Sequence, residues 1–131
     1  MANRNRNAGN QYERDIVNEL KELGFDTVVT SRSESRNMDN AKVDIFDPEG
    51  NFPYFIQNKV LKSYPNLNEL IHGEDVHKKL PLLVFHKKVI KKNTRFFTEG
   101  EFVSMDKQTF YDLLIQAYGI NEDEQLSQDM L

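Results

Sequence analysis

The chain contains no cysteine, so neither a disulfide framework nor a thiolate zinc site is possible, and a reducing compartment is compatible. No stretch approaches the apolar length of a membrane span, and the N-terminus has no apolar run of signal-peptide length. A soluble, cytoplasmic protein with no membrane partner is the expectation. His72, His77 and His86 lack metal-site spacing such as HExxH, which leaves them surface roles. There is no glycine-rich phosphate loop, no nucleophile elbow and no internal repeat. Those absences remove several enzyme classes. What is present is 131 residues, enough for one domain that buries a core without staples.

Ile16, Val17, Leu20 and Leu23 recur at helical spacing and Gly24 follows as a stop, which predicts a first helix from about Asn10 to Leu23. Ahead of it, residues 1–8 are polar and rich in Asn and Arg, and read as a flexible arm. DTVVT reads as a short strand and residues 31–40 as a polar loop. KVDIF and FPYFIQNKVLK flank the turn formers of DPEGN, residues 47–51, and read as an antiparallel hairpin. A helix that Gly73 interrupts is expected after Pro65 and Asn66, then a strand from Pro81. RFFTEGEFVSM reads as a strand or a second hairpin around Glu99 and Gly100. Phe110, Leu113, Leu114 and Ala117 mark a last helix, capped by Asp106 and stopped by Gly119. The expected fold is α/β: one domain over residues 9–120, a mixed sheet flanked by helices, followed by an acidic, disordered tail at 121–131.

The net charge of −4 counts at first against a nucleic-acid partner. Its distribution weakens that objection. Without Glu122, Asp123, Glu124 and Asp129 of the tail, 17 basic residues face 17 acidic ones. From Lys59 to Arg95 nine basic residues, among them Lys62, Lys87 and Lys88, face three acidic ones. Such a segment can follow a phosphate backbone or simply form a solvated lysine-rich surface. Arg32, Ser33, Ser35 and Arg36 make a polar loop whose charge and hydroxyls suit phosphates, and Arg14 can do likewise.

If the DPEGN turn is centred between Gly50 and Asn51, Asp44 stands opposite Gln57, and Lys59 shares a face with Gln57. An acid, an amide and a lysine then converge on one patch. Oxygen ligands of that kind can hold a divalent metal, and an ammonium can sit beside a phosphate, as phosphodiester hydrolysis needs. Asp44, between Val43 and Ile45, needs compensation if buried, and a metal ion supplies it.

This spacing resembles the signature of the PD-(D/E)XK nucleases, with Gln57 in place of the usual acid. The run NAGNQYERDIVNELKELGF, then VVTSRSESR, then KVDI, is similar to the archaeal-type Holliday junction resolvase branch, through Gly9, Glu13, Arg14, Arg32, Ser33, Asp44, Gln57 and Lys59. The resemblance covers the first half of the chain well and the second half only as a pattern of elements. It implies a restriction-endonuclease-like fold and a homodimer acting on branched DNA such as a four-way junction. It also implies Mg2+, with Mn2+ possible, held by Asp44, Gln57 and the Asn58 carbonyl, Glu13 assisting and Lys59 beside the scissile phosphate. Because Gln57 is neutral, metal affinity is expected to be reduced. The alternatives are a small repair or restriction-type nuclease acting on flaps or duplex, and a non-catalytic DNA-binding module with a decayed site.

Overall fold

The computed structural model describes residues 2–35, 37–38, 42–72 and 80–119. Along the chain these form α1 (Ala2–Glu22), β1 (Val29–Thr30), α2 (Ser31–Glu34), β2 (Ile45–Phe46), β3 (Phe55–Leu61), α3 (Leu67–His72), β4 (Leu82–Lys92), β5 (Arg95–Ser104) and α4 (Lys107–Tyr118). The strands lie in sequence order in one five-stranded sheet. β2 runs antiparallel to both its neighbours, β1 and β3, while β3 and β4 are parallel and β5 returns antiparallel to β4. A parallel neighbour requires a crossover, and α3 lies in it. The expected mixed sheet flanked by helices is therefore observed.

Helices cover both faces of the sheet. Tyr12, Ile16, Val17 and Leu20, one stripe of α1, pack on Ile45, Ile56 and Leu83, with Leu113 of α4 against the same cluster. On the opposite face Phe46, Phe55, Leu82 and Val84 are covered by Leu70 and Ile71 of α3. Neighbouring residues of β3 thus serve opposite layers, Ile56 toward α1 and Phe55 toward α3. That alternation puts Gln57 and Lys59 on the α3 side and Asn58 on the α1 side.

Local chemistry sets the boundaries. α1 closes in a Schellman arrangement, with Phe25 N–H on the Leu20 carbonyl at 3.0 Å, Gly24 N–H on the Lys21 carbonyl at 3.0 Å, and Gly24 at φ +111°. Asp106 caps α4 through Gln108 N–H at 3.2 Å, and Gly119 ends it at φ +69°. Ile45 stands opposite Ile56, the register expected of the 47–51 turn. Asp47 organises that turn: its carboxylate accepts from the Thr27 hydroxyl at 2.7 Å and from the N–H groups of Glu49 and Phe52, each at 2.9 Å.

Two expectations need correction, and one pair of alternatives is decided. The arm expected at residues 1–8 is helical from Ala2 onward, because no proline interrupts it and α1 simply continues beyond its packed stripe. The loop expected at 31–40 begins with the single turn α2. Of the two readings of RFFTEGEFVSM the strand holds: β5 is continuous, and the reversal lies between Lys92 and Arg95, where Asn93 adopts φ +57°. Asn is among the few residues that tolerate that conformation. Gly73, His77, Arg36 and the tail at 121–131 lie outside the described residues.

Candidate active site

Asp44 lies just before β2, half-buried, and is fixed at both backbone groups. Its N–H donates to the Ile56 carbonyl and its own carbonyl accepts from Ser31 N–H, each at 2.8 Å. Its carboxylate accepts the N–H of Asn58 at 2.9 Å, so the acid is clamped beside β3 immediately after Gln57. Asn58 turns its side-chain amide the other way, donating to the Gly9 carbonyl of α1 at 3.2 Å. Glu13, one helical turn along from Gly9 and buried, accepts Arg32 Nε at 2.8 Å. Arg32 follows Ser31, which brings the path back to Asp44. Gly9, Glu13, Arg32, Ser31, Asp44 and Asn58 thereby form a closed circuit of contacts through α1, α2, β2 and β3.

Among the described residues, three buried side-chain oxygens meet no hydrogen-bond partner: Ser31 Oγ, Gln57 Oε1 and Asn58 Oδ1. Each belongs to the circuit or stands next to it. A buried acceptor without a donor costs about 1–3 kcal/mol, and such groups gather where a ligand completes them. Gln57 is only 3% exposed, so water does not meet the need from bulk. Lys59, half-buried, lies two residues along β3 on the same face as Gln57.

Among the described residues, no group of three or more His, Cys, Asp or Glu is placed to hold a metal. A cation here depends instead on mixed oxygens, the Asp44 carboxylate and the Gln57 amide. The unmet Gln57 Oε1 fits that demand, since Mg2+ takes oxygen ligands from carboxylates and amides alike. Asp44, Glu13 and Arg32 together carry one formal negative charge, because Arg32 offsets Glu13. A divalent ion held by these two oxygens would need further ligands from outside the chain to complete its shell.

The residues expected to grip phosphates are mostly engaged elsewhere. Ser33 Oγ is bonded to Thr30, 2.9 Å from its hydroxyl and 3.1 Å from its carbonyl, and Ser35 Oγ accepts Met38 N–H at 3.3 Å. Both hydroxyls therefore close local turns. Arg14 donates to Gln11 at 2.8 Å on the outer surface of α1. Lys87 lies over the Tyr12 ring at 5.0 Å, and Lys88 pairs with Glu99 at 3.0 Å and lies over Tyr64 at 5.6 Å. Lys62 sits over the exposed Phe96 ring at 5.4 Å. At the end of the β4–β5 ribbon that extends past β3, Lys91 and Lys92 are exposed and lie over the Phe96 and Phe97 rings at 5.7 and 6.0 Å, and Arg95 is exposed beside them.

His86, expected at the surface, is buried and within 3.2 Å of Ser104 Oγ, with Phe102 stacked on it at 5.3 Å. Burial holds its imidazole below the ordinary value. Sequence reading also missed Ser31 and the Asn58 side chain. An Asn inside an apolar strand is a usable signal, because strands disfavour it; nothing distinguishes Ser31 from the serines around it. No protein-family model, curated protein or solved structure matches this chain.

Proposed function

We propose that this chain is a metal-dependent endonuclease that hydrolyses phosphodiesters in branched DNA, acting in the cytoplasm as a homodimer with a restriction-endonuclease-like core. The observation that carries the reading is the convergence of Glu13, Arg32, Asp44 and Asn58 in one circuit, beside a buried Gln57 oxygen that meets no donor among the described residues. Asp44 and Gln57 would hold Mg2+ or Mn2+, with the Asn58 main-chain carbonyl as a further ligand. When bound, the ion supplies Lewis-acid charge and a more acidic water. Lys59, on the Gln57 face, offsets the charge that grows on the phosphate oxygens as the attacking water adds. Arg32 fixes the Glu13 carboxylate at 2.8 Å, on the α1 side of the sheet, whereas Gln57 and Lys59 face the α3 side.

The neutral Gln57 and the Arg32 partner of Glu13 favour a second reading, a DNA-binding module whose site has lost catalysis. The two separate on one experiment: labelled four-way junction, flap and linear duplex incubated with Mg2+, Mn2+ or EDTA. Cleavage of the junction that EDTA abolishes supports the enzyme. Junction binding without cleavage under any metal supports the module, and cleavage of flap or duplex with the junction left intact removes the resolvase-like substrate choice.

A further inference from the structure

β5 is an edge strand: β4 pairs with one side of it, and no described residue pairs with the other. Long open edges that carry apolar side chains are association templates, and soluble proteins usually blunt them. This one keeps four large apolar groups in water, Phe96 at 44%, Phe97 at 48%, Phe102 at 44% and Val103 at 47% exposure. They are not scattered. The ten residues RFFTEGEFVS carry one apolar pair near each end, symmetric about the Glu99–Gly100 bond.

We infer that β5 pairs with β5 of a second copy, antiparallel across a two-fold axis at the Glu99–Gly100 bond, joining the two sheets into one of ten strands. In that register Phe97 meets Phe102 of the second copy, Phe96 meets Val103, Thr98 meets Glu101 and Glu99 meets Gly100. No like charges stand directly opposite, which cross-strand pairing requires. Opposite residues must also share a face. In a regular strand Phe97 and Phe102, five positions apart, would face opposite sides.

The structure removes that obstacle. β4 is regular while β5 holds one extra residue: Lys88 pairs with Gly100 and Val89 with Thr98, which leaves Glu99 as a bulge. Phe102 pairs with His86 and Phe97 with Ile90, two β4 residues an even distance apart, so both rings share one face. Likewise Val103 pairs with Phe85 and Phe96 with Lys91 on the other face. The bulge brings both halves of the symmetric pattern into phase. Gly100 makes room for the Phe102 ring, since a Cβ there would fall 2.7 Å from it.

This pairing supplies the dimer face that the proposed function needs. Five strand spacings separate the two β3 strands, about 24 Å, and an axis normal to the sheet keeps both Gln57–Lys59 sites on the same side.

Because the chain has no cysteine, disulfide trapping is unambiguous. Thr98→Cys combined with Glu101→Cys places the two thiols opposite each other across the axis, with Cα atoms about 5 Å apart, inside the range a disulfide spans. Each single variant meets its own copy three residues out of step, about 10 Å away. The expected result is a dimer by sedimentation, cross-linked in the double variant at least about tenfold more than in either single one. Phe97→Glu should give a monomer with an unchanged circular dichroism spectrum. A wild-type monomer at about 0.1 mM, where even a micromolar dimer is assembled, would overturn the pairing. So would a dimer in which the double variant cross-links no better than the single ones. Both readouts report association and not cleavage, so a catalytically silent protein tests this face equally well.

Discussion

Replacing Gln57 with leucine separates a ligand from a structural amide. In the folded protein Gln57 is 3% exposed and its Oε1 meets no donor among the described residues, so without metal the side chain carries a desolvation cost of about 1–3 kcal/mol. Leucine has similar volume and no such cost. Metal-free Gln57→Leu should therefore melt higher than wild type by about 3 °C or more, taking roughly 3–5 °C per kcal/mol for a domain of intermediate length. Added Mg2+ or Mn2+ reverses the order. At a metal concentration about one hundred times Kd, wild type gains about 2.7 kcal/mol through linkage, whereas the leucine variant, short of one ligand, gains little. Thermal melts in EDTA and across a Mn2+ titration measure both effects. A Gln57→Leu protein that melts lower than wild type in EDTA and shifts equally with Mn2+ would refute the assignment, because the amide would then be a folding element and not a ligand.

Asp44→Asn should abolish cleavage while keeping the melt, because the amide oxygen still accepts Asn58 N–H, whereas Asp44→Ala leaves that donor unmet and costs about 1–3 kcal/mol by urea denaturation. Asp47→Ala should cost about 3 kcal/mol in the same assay, since the Phe52 N–H and the Thr27 hydroxyl both lose their acceptor. Burial pushes the Asp47 carboxyl upward, but the bonds from Thr27, Phe52 and Glu49 outweigh it and hold the group below its ordinary value. Its contribution is present above the ordinary carboxylate range and is lost only as pH falls through the lower folded value. His86, also held low by burial, acts in a milder window: its stabilisation is complete above the unfolded pKa of about 6.5 and declines as pH falls toward the folded one. Melts of wild type and His86→Gln over roughly pH 5 to 7.5, the interval in which imidazole titrates, should diverge at the top of that interval and converge at the bottom. Charge reversal at Lys92 and Arg95, both exposed, should weaken four-way junction binding about tenfold and flatten its salt dependence more than reversal at Lys88, which is already paired with Glu99.

The amino-acid sequence by itself determined the features that depend on neighbours along the chain. The apolar stripe of α1 and its Gly24 stop, the 47–51 turn and its register, and the Asp106 cap and Gly119 stop of α4 all follow from spacing, turn chemistry and capping. So does the shared face of Gln57 and Lys59, because strand alternation has a fixed period of two. Tertiary structure alone decided what depends on residues far apart. Arg32 reads as a phosphate ligand until the fold carries it to Glu13, 19 residues away. Lys87 and Lys88 belong to a basic run until Tyr12 and Glu99 come alongside them. Asn58 reaches Gly9 across 49 residues, a contact no local pattern encodes. The polarity of β3 against β4, and the bulge that phases the β5 edge, arise from ladder pairing between strands. Short-range sterics and hydrogen bonding act within a turn or two of the chain, whereas burial and the partnering of charges are settled only when the layers close.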